Sequence, residues 1–179
     1  MGLKSRLENF YNRKILKKAP HEIMIERLRG LGMKIGEDCW IFSDDIATKE
    51  PYLVTIGDHV MISSHVHITA HDASLCYYVE GASDMFGRIN IGNNCFIGMG
   101  AIILPGVTIA DNCIVGAGSV VTKSFFEPNS VIAGNPAKKI CTIDELREKN
   151  KKYCLNTWGM SFEEKKKYLL ENEDKFKKA

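Results

Sequence analysis

The sequence predicts a mainly β protein: short parallel strands wound into a parallel β-helix of hexapeptide repeats, with N-terminal and C-terminal helices and one loop excursion. Three observations predict it. An aliphatic residue returns every six positions through the middle of the chain. Small residues and glycines hold fixed places within each six. Apolar residues at helical spacing are confined to the two ends. A length of 179 residues suits one domain with a real core.

Residues 91–120 divide into IGNNCF, IGMGAI, ILPGVT, IADNCI and VGAGSV. Ile or Val opens every block, at 91, 97, 103, 109 and 115, and Val121 continues the series. The fifth place is compact: Cys95, Ala101, Val107, Cys113, Ser119. A six-residue period fits neither the 3.6 of a helix nor plain strand alternation. It fits short strands joined by tight corners, with one aliphatic side chain per strand pointing inward. Three flat faces make a coil of eighteen residues, so residues eighteen apart stack at a strand spacing of about 4.8 Å. Cys95 and Cys113 form such a pair and read as small buried hydrophobes, not as a disulfide.

Upstream, Ile56, Ile62 and Ile68 keep the period, and Ile35 and Ile41 flank Cys39. The phase slips between Ile56 and Ile91, which places a loop excursion at 72–88 that leaves the coil and returns out of step. A shorter excursion lies near SDDIATKEPYL. Before the coil, PHEIMIERLRGLG sets Ile23, Met24, Arg27, Leu28 and Leu31 at helical spacing. That helix belongs to an N-terminal cap, 1–34, covering the open end of a β-helix at 35–142. After it, Thr142 with Glu145 and Ser161 with Glu164 match the capping box. They predict helices over 143–155 and 161–175 in a C-terminal extension, 143–179.

The 24 Lys and Arg against 22 Asp and Glu leave a net charge of +2. The ends are basic and the middle acidic, which gives no nucleic-acid signature. SRLENFYNRKILKK reads as a solvated helix face, with contact to an anionic surface or ligand as the alternative. No stretch reads as a secretory leader or a membrane-spanning segment. Six cysteines without paired spacing read as reduced thiols in a cytoplasmic protein.

The stretch IGNNCFIGMGAIILPGVTIADNCIVGAGSVVTK, followed by VIAGNPAKKI, resembles the hexapeptide-repeat acyltransferases. The nearest group is the sugar and polysaccharide O-acetyltransferases, relatives of galactoside and maltose acetyltransferase. The resemblance covers residues 22–142. It implies a left-handed β-helix, against the usual right-handed crossover. It also implies a homotrimer with acetyl-CoA, the co-substrate, in the groove between neighbouring coils. His71 in TAHDAS is the counterpart of the family histidine that stands before a projecting loop. The same resemblance assigns acetyl-CoA contacts to Met99, Ala117, Thr122, Lys123 and Lys138, with the lysines toward the nucleotide phosphates. The chain is two residues shorter before His71 and one longer between Thr122 and the GNP turn.

Acetyl transfer to a hydroxyl needs a base near neutral pH, and histidine is suited to it. Direct attack needs only the two substrates held in line. The resemblance implies that a backbone N–H near Met99 serves the developing oxyanion. Asp72 either orients the site or makes a loop hydrogen bond. Tyr77, Tyr78, Asp84 and Arg88 are candidate acceptor contacts, and packing on a neighbouring subunit is an equal reading for the tyrosines. Acetyl-CoA and a sugar or polysaccharide are thus the expected partners, and no metal is expected. The rival is a γ-class carbonic-anhydrase-like zinc site from His65, His67 and His71. Against it, His59, His65 and His71 share the fourth place of consecutive hexapeptides and point about 120° apart on a three-faced coil. A catalytically silent β-helix that only assembles is the third reading.

Overall fold

The computed structural model describes residues 18–44, 46 and 49–178, so most of the basic N-terminal stretch lies outside the described residues. Short parallel strands form three faces of a coil. The first face stacks β1 (Lys34–Ile35), β3 (Val54–Ile56), β8 (Ile89–Ile91) and β11 (Thr108–Ile109). The second stacks β2 (Trp40–Ile41), β4 (Met61–Ile62), β9 (Phe96–Ile97), β12 (Ile114–Val115) and β14 (Ser130–Gly134). The third stacks β5 (His67–Ile68), β10 (Ile102–Ile103) and β13 (Val120–Val121), and Ile46 bridges to Ile68 above it.

The register is that of the first-place aliphatic residues. Ile35, Ile56, Ile91 and Ile109 pair in turn along the first face. Ile41, Ile62, Ile97, Val115 and Ile132 do so along the second. Ile68, Ile103 and Val121 complete the third. All of these side chains are buried in one core, and the buried hydrophobic residues there are aliphatic, Met or Cys. Each contributes about 1.5–3 kcal/mol by leaving water.

Ile56 pairs directly with Ile91, so the coil resumes in step after the excursion. The apparent slip in phase arises because a loop outside the coil need not be a multiple of six. The excursion leaves as β6 (His71–Asp72) and returns as β7 (Met85–Phe86), paired antiparallel. Gly87 N–H then donates to Ala70 O at 2.9 Å. A Cβ on Gly87 would strike the backbone of Gly106, so glycine alone lets the return leg lie on the corner beneath it.

The corners follow a rule absent from the periodicity argument. The fourth place of eight hexapeptides is left-handed: Asp38, His59, His65, Asn94 and Asn112 have φ of 53–58°, and Gly100, Gly106 and Gly118 have 67–84°. Asn and Gly are suited to this conformation. At the edge between the first and second faces, third-place side chains serve the backbone of the coil before. Asp58 Oδ1 accepts from Glu37 N–H at 2.8 Å, Asn93 Oδ1 from Asp58 N–H at 2.8 Å, and Asp111 Oδ1 from Asn93 N–H at 2.7 Å. The second-place glycines Gly36, Gly57 and Gly92 leave the room these oxygens occupy.

Helix α1 (Pro20–Gly30) closes the first coil by burying Ile25 and Leu28. Its Arg29 donates to Ile35 O at 3.1 and 3.0 Å and to Gly36 O at 2.6 Å, serving carbonyls at the open end. At the other end β15 (Ala137–Thr142) folds back antiparallel on β14. Both capping boxes form, but the helices are shorter than their spacing predicts: α2 (Ile143–Asn150) and α3 (Phe162–Leu170). Neither buries a residue, so nothing extends them past the first two turns. No helix among the described residues is long and apolar enough to cross a membrane.

All six cysteines are free thiols, and Cys39, Cys95 and Cys113 are buried. Burial pushes the Cys95 thiol up to about 11 from 9.0. Between those values the unfolded chain loses a proton that the folded chain keeps, so stability falls as pH rises. Urea midpoints should therefore drop from pH 8 to pH 10, and drop less in Cys95→Ala; an equal drop in both would exclude this source. The edge ladder makes a second expectation. Asn93→Ala removes the acceptor of the Asp58 N–H at an exposed edge and should cost about 0.5–1 kcal/mol in urea unfolding, whereas an unchanged midpoint would show that the ladder is idle.

Candidate functional site

His71 occupies the fourth place of its hexapeptide, the corner position, yet it has no left-handed φ and lies in β6. The corner rule is broken there because the chain turns outward into the excursion. Its ring lies 6.4 Å from that of Phe86 on the returning strand, tilted by 50°. On its other side, His71 Nδ1 stands 2.7 Å from Glu50 Oε2. A carboxylate only accepts, so Nδ1 carries the hydrogen, and in the neutral ring the lone pair is then on Nε2. The two side chains are 25% and 14% exposed, which shields this charge-assisted bond while leaving the ring a route outward.

Glu50 was not singled out in the sequence. It precedes the short turn Pro51–Leu53, whose Pro51 is buried, on the smaller of the two excursions. The available signal was spacing: Ile35 to Ile56 is 21 residues where one coil takes eighteen. Those three extra residues put a carboxylate beside the histidine.

Asp72 points elsewhere. Its Oδ1 accepts from Ser74 N–H at 2.8 Å, the loop hydrogen bond that was one of its two readings. That bond holds its carboxyl below the usual carboxylate range. Asp72 and Asp84 line a hollow of about 100 Å³ within the excursion, with Leu75, Cys76, Val79, Ala82 and Met85. Tyr77 and Tyr78 stand almost fully exposed at the loop tip, outside that hollow. Arg88 is exposed where the chain rejoins the coil.

Met99 and Ala117 stack as their spacing predicts, with Gly118 N–H donating to Met99 O at 2.8 Å. Both are exposed, and both lie on the edge between the second and third faces. Gly98 beside them is required, because a Cβ there would collide with the Ala117 backbone. Thr122 and Lys123 follow β13 and lie on the edge between the third and first faces. Thr69 and Leu104 are tied in register above Thr122, so this is the edge that carries His71. Lys123 Nζ sits 5.8 Å from the Phe125 ring centre, and exposed Lys138 lies opposite Ala133 in β15. One chain thus gathers His71, Thr122 and Lys123 on one edge and sets Met99 and Ala117 on another.

The histidines of the zinc reading do not converge. His65 holds a left-handed corner and His67 lies on β5, outside the core. Among the described residues, no three His, Cys, Asp or Glu side chains group so as to hold a metal ion.

Comparison with known proteins agrees with this architecture. Residues 88–123 match the family model described as bacterial transferase hexapeptide (six repeats). Protein CapG of Staphylococcus aureus is 47% identical over 166 residues, covering 90% of this chain and 94% of that one. Galactoside O-acetyltransferase of Escherichia coli is 40% identical over 105 residues, 58% of this chain and 50% of that protein.

The chain belongs to the hexapeptide-repeat acyltransferase family.

Among solved structures of the family, a galactoside acetyltransferase in complex with coenzyme A is 28% identical with a TM-score of 0.60. That alignment covers 88% of this chain and 86% of the other. A maltose O-acetyltransferase from Clostridium difficile is also 28% identical, with a TM-score of 0.55, covering 77% of this chain and 83% of the other.

Proposed function

We propose that this acyltransferase moves an acetyl group from acetyl-CoA to a hydroxyl of a sugar or polysaccharide, with His71 as general base and Glu50 as its positioning residue. The observation that carries the reading is the His71–Glu50 contact at the root of the excursion. With Nδ1–H held by the carboxylate, Nε2 accepts the acceptor's hydroxyl proton. The oxygen attacks the thioester carbon, the new C–O bond forms and the C–S bond breaks. The departing thiolate takes the proton back from Nε2. Glu50 stabilises the imidazolium between those two transfers. The backbone N–H of Met99 is the proposed donor to the developing oxyanion.

Met99 and Ala117 give the pantetheine arm a strip along one edge, and Lys123 and Lys138 give the phosphates their cations. The hollow lined by Asp72 and Asp84, and the exposed Tyr77, Tyr78 and Arg88, are the acceptor side of the site. The coenzyme A held by the galactoside acetyltransferase relative supports acetyl-CoA as donor, and the names of the galactoside and maltose relatives support a sugar acceptor. Left-handed winding rests on the same relatives.

A homotrimer completes the site. His71 and the Met99–Ala117 strip lie on different edges of one coil, so a base from one copy meets a strip from its neighbour. Further along the second face from Trp40, the outer positions Met61, Phe96 and Ile114 are apolar. Those of the first, Lys34, Thr55, Asn90 and Thr108, are polar. An apolar face of this kind suits contact with another copy.

Coenzyme A thiol release against a panel of pyranosides reads the chemistry. His71→Ala should lower kcat by about a hundredfold or more. Glu50→Gln keeps an acceptor for Nδ1–H but removes the charge, and should lower kcat by about tenfold with the acetyl-CoA KM unchanged. Full activity in His71→Ala would remove the base assignment. Mixing His71→Ala with Ala117→Trp chains tests the shared site. Co-assembly should restore activity at about a quarter of the sites, by random pairing in a closed ring. No restoration in a verified mixed oligomer would place the whole site in one chain.

A further inference from the structure

The chain holds two tryptophans, and the fold brings both to one place that the catalytic reading does not use. Trp40 lies on β2 in the first coil, and Trp158 lies in the C-terminal extension between α2 and α3. Their ring centres are 6.5 Å apart, with the planes at 79°. His21 from α1 stacks on Trp40 at 4.3 Å and 12°, which fixes the plane of that indole. Phe42 completes the group, 6.0 Å from both Trp40 and His21. The core takes no part in this cluster, since its buried hydrophobic residues include no aromatic ring. Trp40 is 37% exposed, Phe42 50% and Trp158 80%.

We propose that Trp40, Phe42 and Trp158 form an aromatic platform on which a pyranose ring of the acceptor stacks, beyond the excursion and at the acyl end of the donor strip. The assignment rests on the acetyl-transfer reading above. Position favours it first. Phe42 N–H donates to Ile62 O, Ser63 N–H to Ile97 O and Gly98 N–H to Val115 O. This ladder places Phe42 at the start of the same edge that carries Met99 and Ala117 further along. A donor laid on that edge with its nucleotide toward Lys138, which lies opposite Ala133 further along it, ends toward the aromatic cluster.

Shape favours it second. Two indoles near a right angle make a corner with one flat wall and one raised wall. Trp158 is 80% exposed, and its ring meets that of Trp40 near a right angle, which leaves most of its surface open among the described residues. A pyranose offers a flat array of C–H groups that suits such a face, and its hydroxyls stay in water. Rigid amphipathic rings make contacts of this kind at low entropic cost. An extended saccharide chain with one residue on this platform would present a neighbouring hydroxyl to the base.

Both tryptophans lie in the cluster, so tryptophan emission of the full chain, excited beyond the absorption of its six tyrosines, reports on it. Emission is followed during titration with methyl α-galactopyranoside, methyl α-glucopyranoside and N-acetylglucosamine, with coenzyme A present. At least one sugar should give a saturable blue shift. Trp158→Ala should raise the dissociation constant of that sugar by about tenfold, Trp158→Phe should retain most of the affinity, and both should keep the wild-type affinity for coenzyme A by calorimetry. The proposal is overturned if no sugar shifts the emission of protein that binds coenzyme A, or if Trp158→Ala leaves sugar affinity unchanged. It is also overturned if Trp158→Ala dissociates the oligomer in sedimentation, which would make the cluster a subunit contact. Failure of the wild type to bind coenzyme A strikes the acetyl-transfer reading instead, and is read separately.

Discussion

Everything in this structure depends on one packing relation: each first-place aliphatic side chain lies on its equivalent one coil away. Most strands in the coil are only two residues long, too short to hold a sheet by hydrogen bonds alone. Columns such as Ile41–Ile62–Ile97–Val115–Ile132 supply what the strands cannot. The other places in the hexapeptide answer to that column. A compact fifth residue shares the interior, and a left-handed fourth residue turns the corner. A second-place glycine makes room for the oxygen that serves the coil before it.

A coil so constrained has little freedom to vary inside, and its chemistry gathers where residues are added. Ile35 to Ile56 exceeds one coil by three residues, and Ile56 to Ile91 exceeds it by seventeen. These two additions meet. Glu50 comes from the first and His71 from the root of the second, 2.7 Å apart. The rigid wall holds the ring while the added segments supply its partner and the pocket, a division common to sites built on regular scaffolds.

The period made the three faces, the core columns and the stacking of Cys95 on Cys113 legible, because each is a consequence of repetition. His71 was legible as the place where repetition stops. Glu50 was not, since a contact between two insertions leaves no periodic trace. The corner role of His59 and His65 was also missed. Their fourth place equals that of Asn94, Asn112 and the corner glycines, a match that points to left-handed φ and away from a metal. The C-terminal helices were drawn too long because their capping boxes mark starts, whereas their ends depend on packing that α2 and α3 lack. Strand β15 escaped for a similar reason: it pairs antiparallel and carries no hexapeptide signature.

The division of candidate residues between two edges of the coil ties the donor strip to everything else, and acetyl-CoA binding tests it without knowledge of the acceptor. Isothermal titration on the wild type and on Ala117→Trp is the most direct measurement, with circular dichroism to verify the fold of the variant. Saturable binding by the wild type that falls by tenfold or more in the folded variant is the predicted result, since the indole would fill the strip beside Met99. Undiminished binding in the variant, or none in the wild type, would contradict the account.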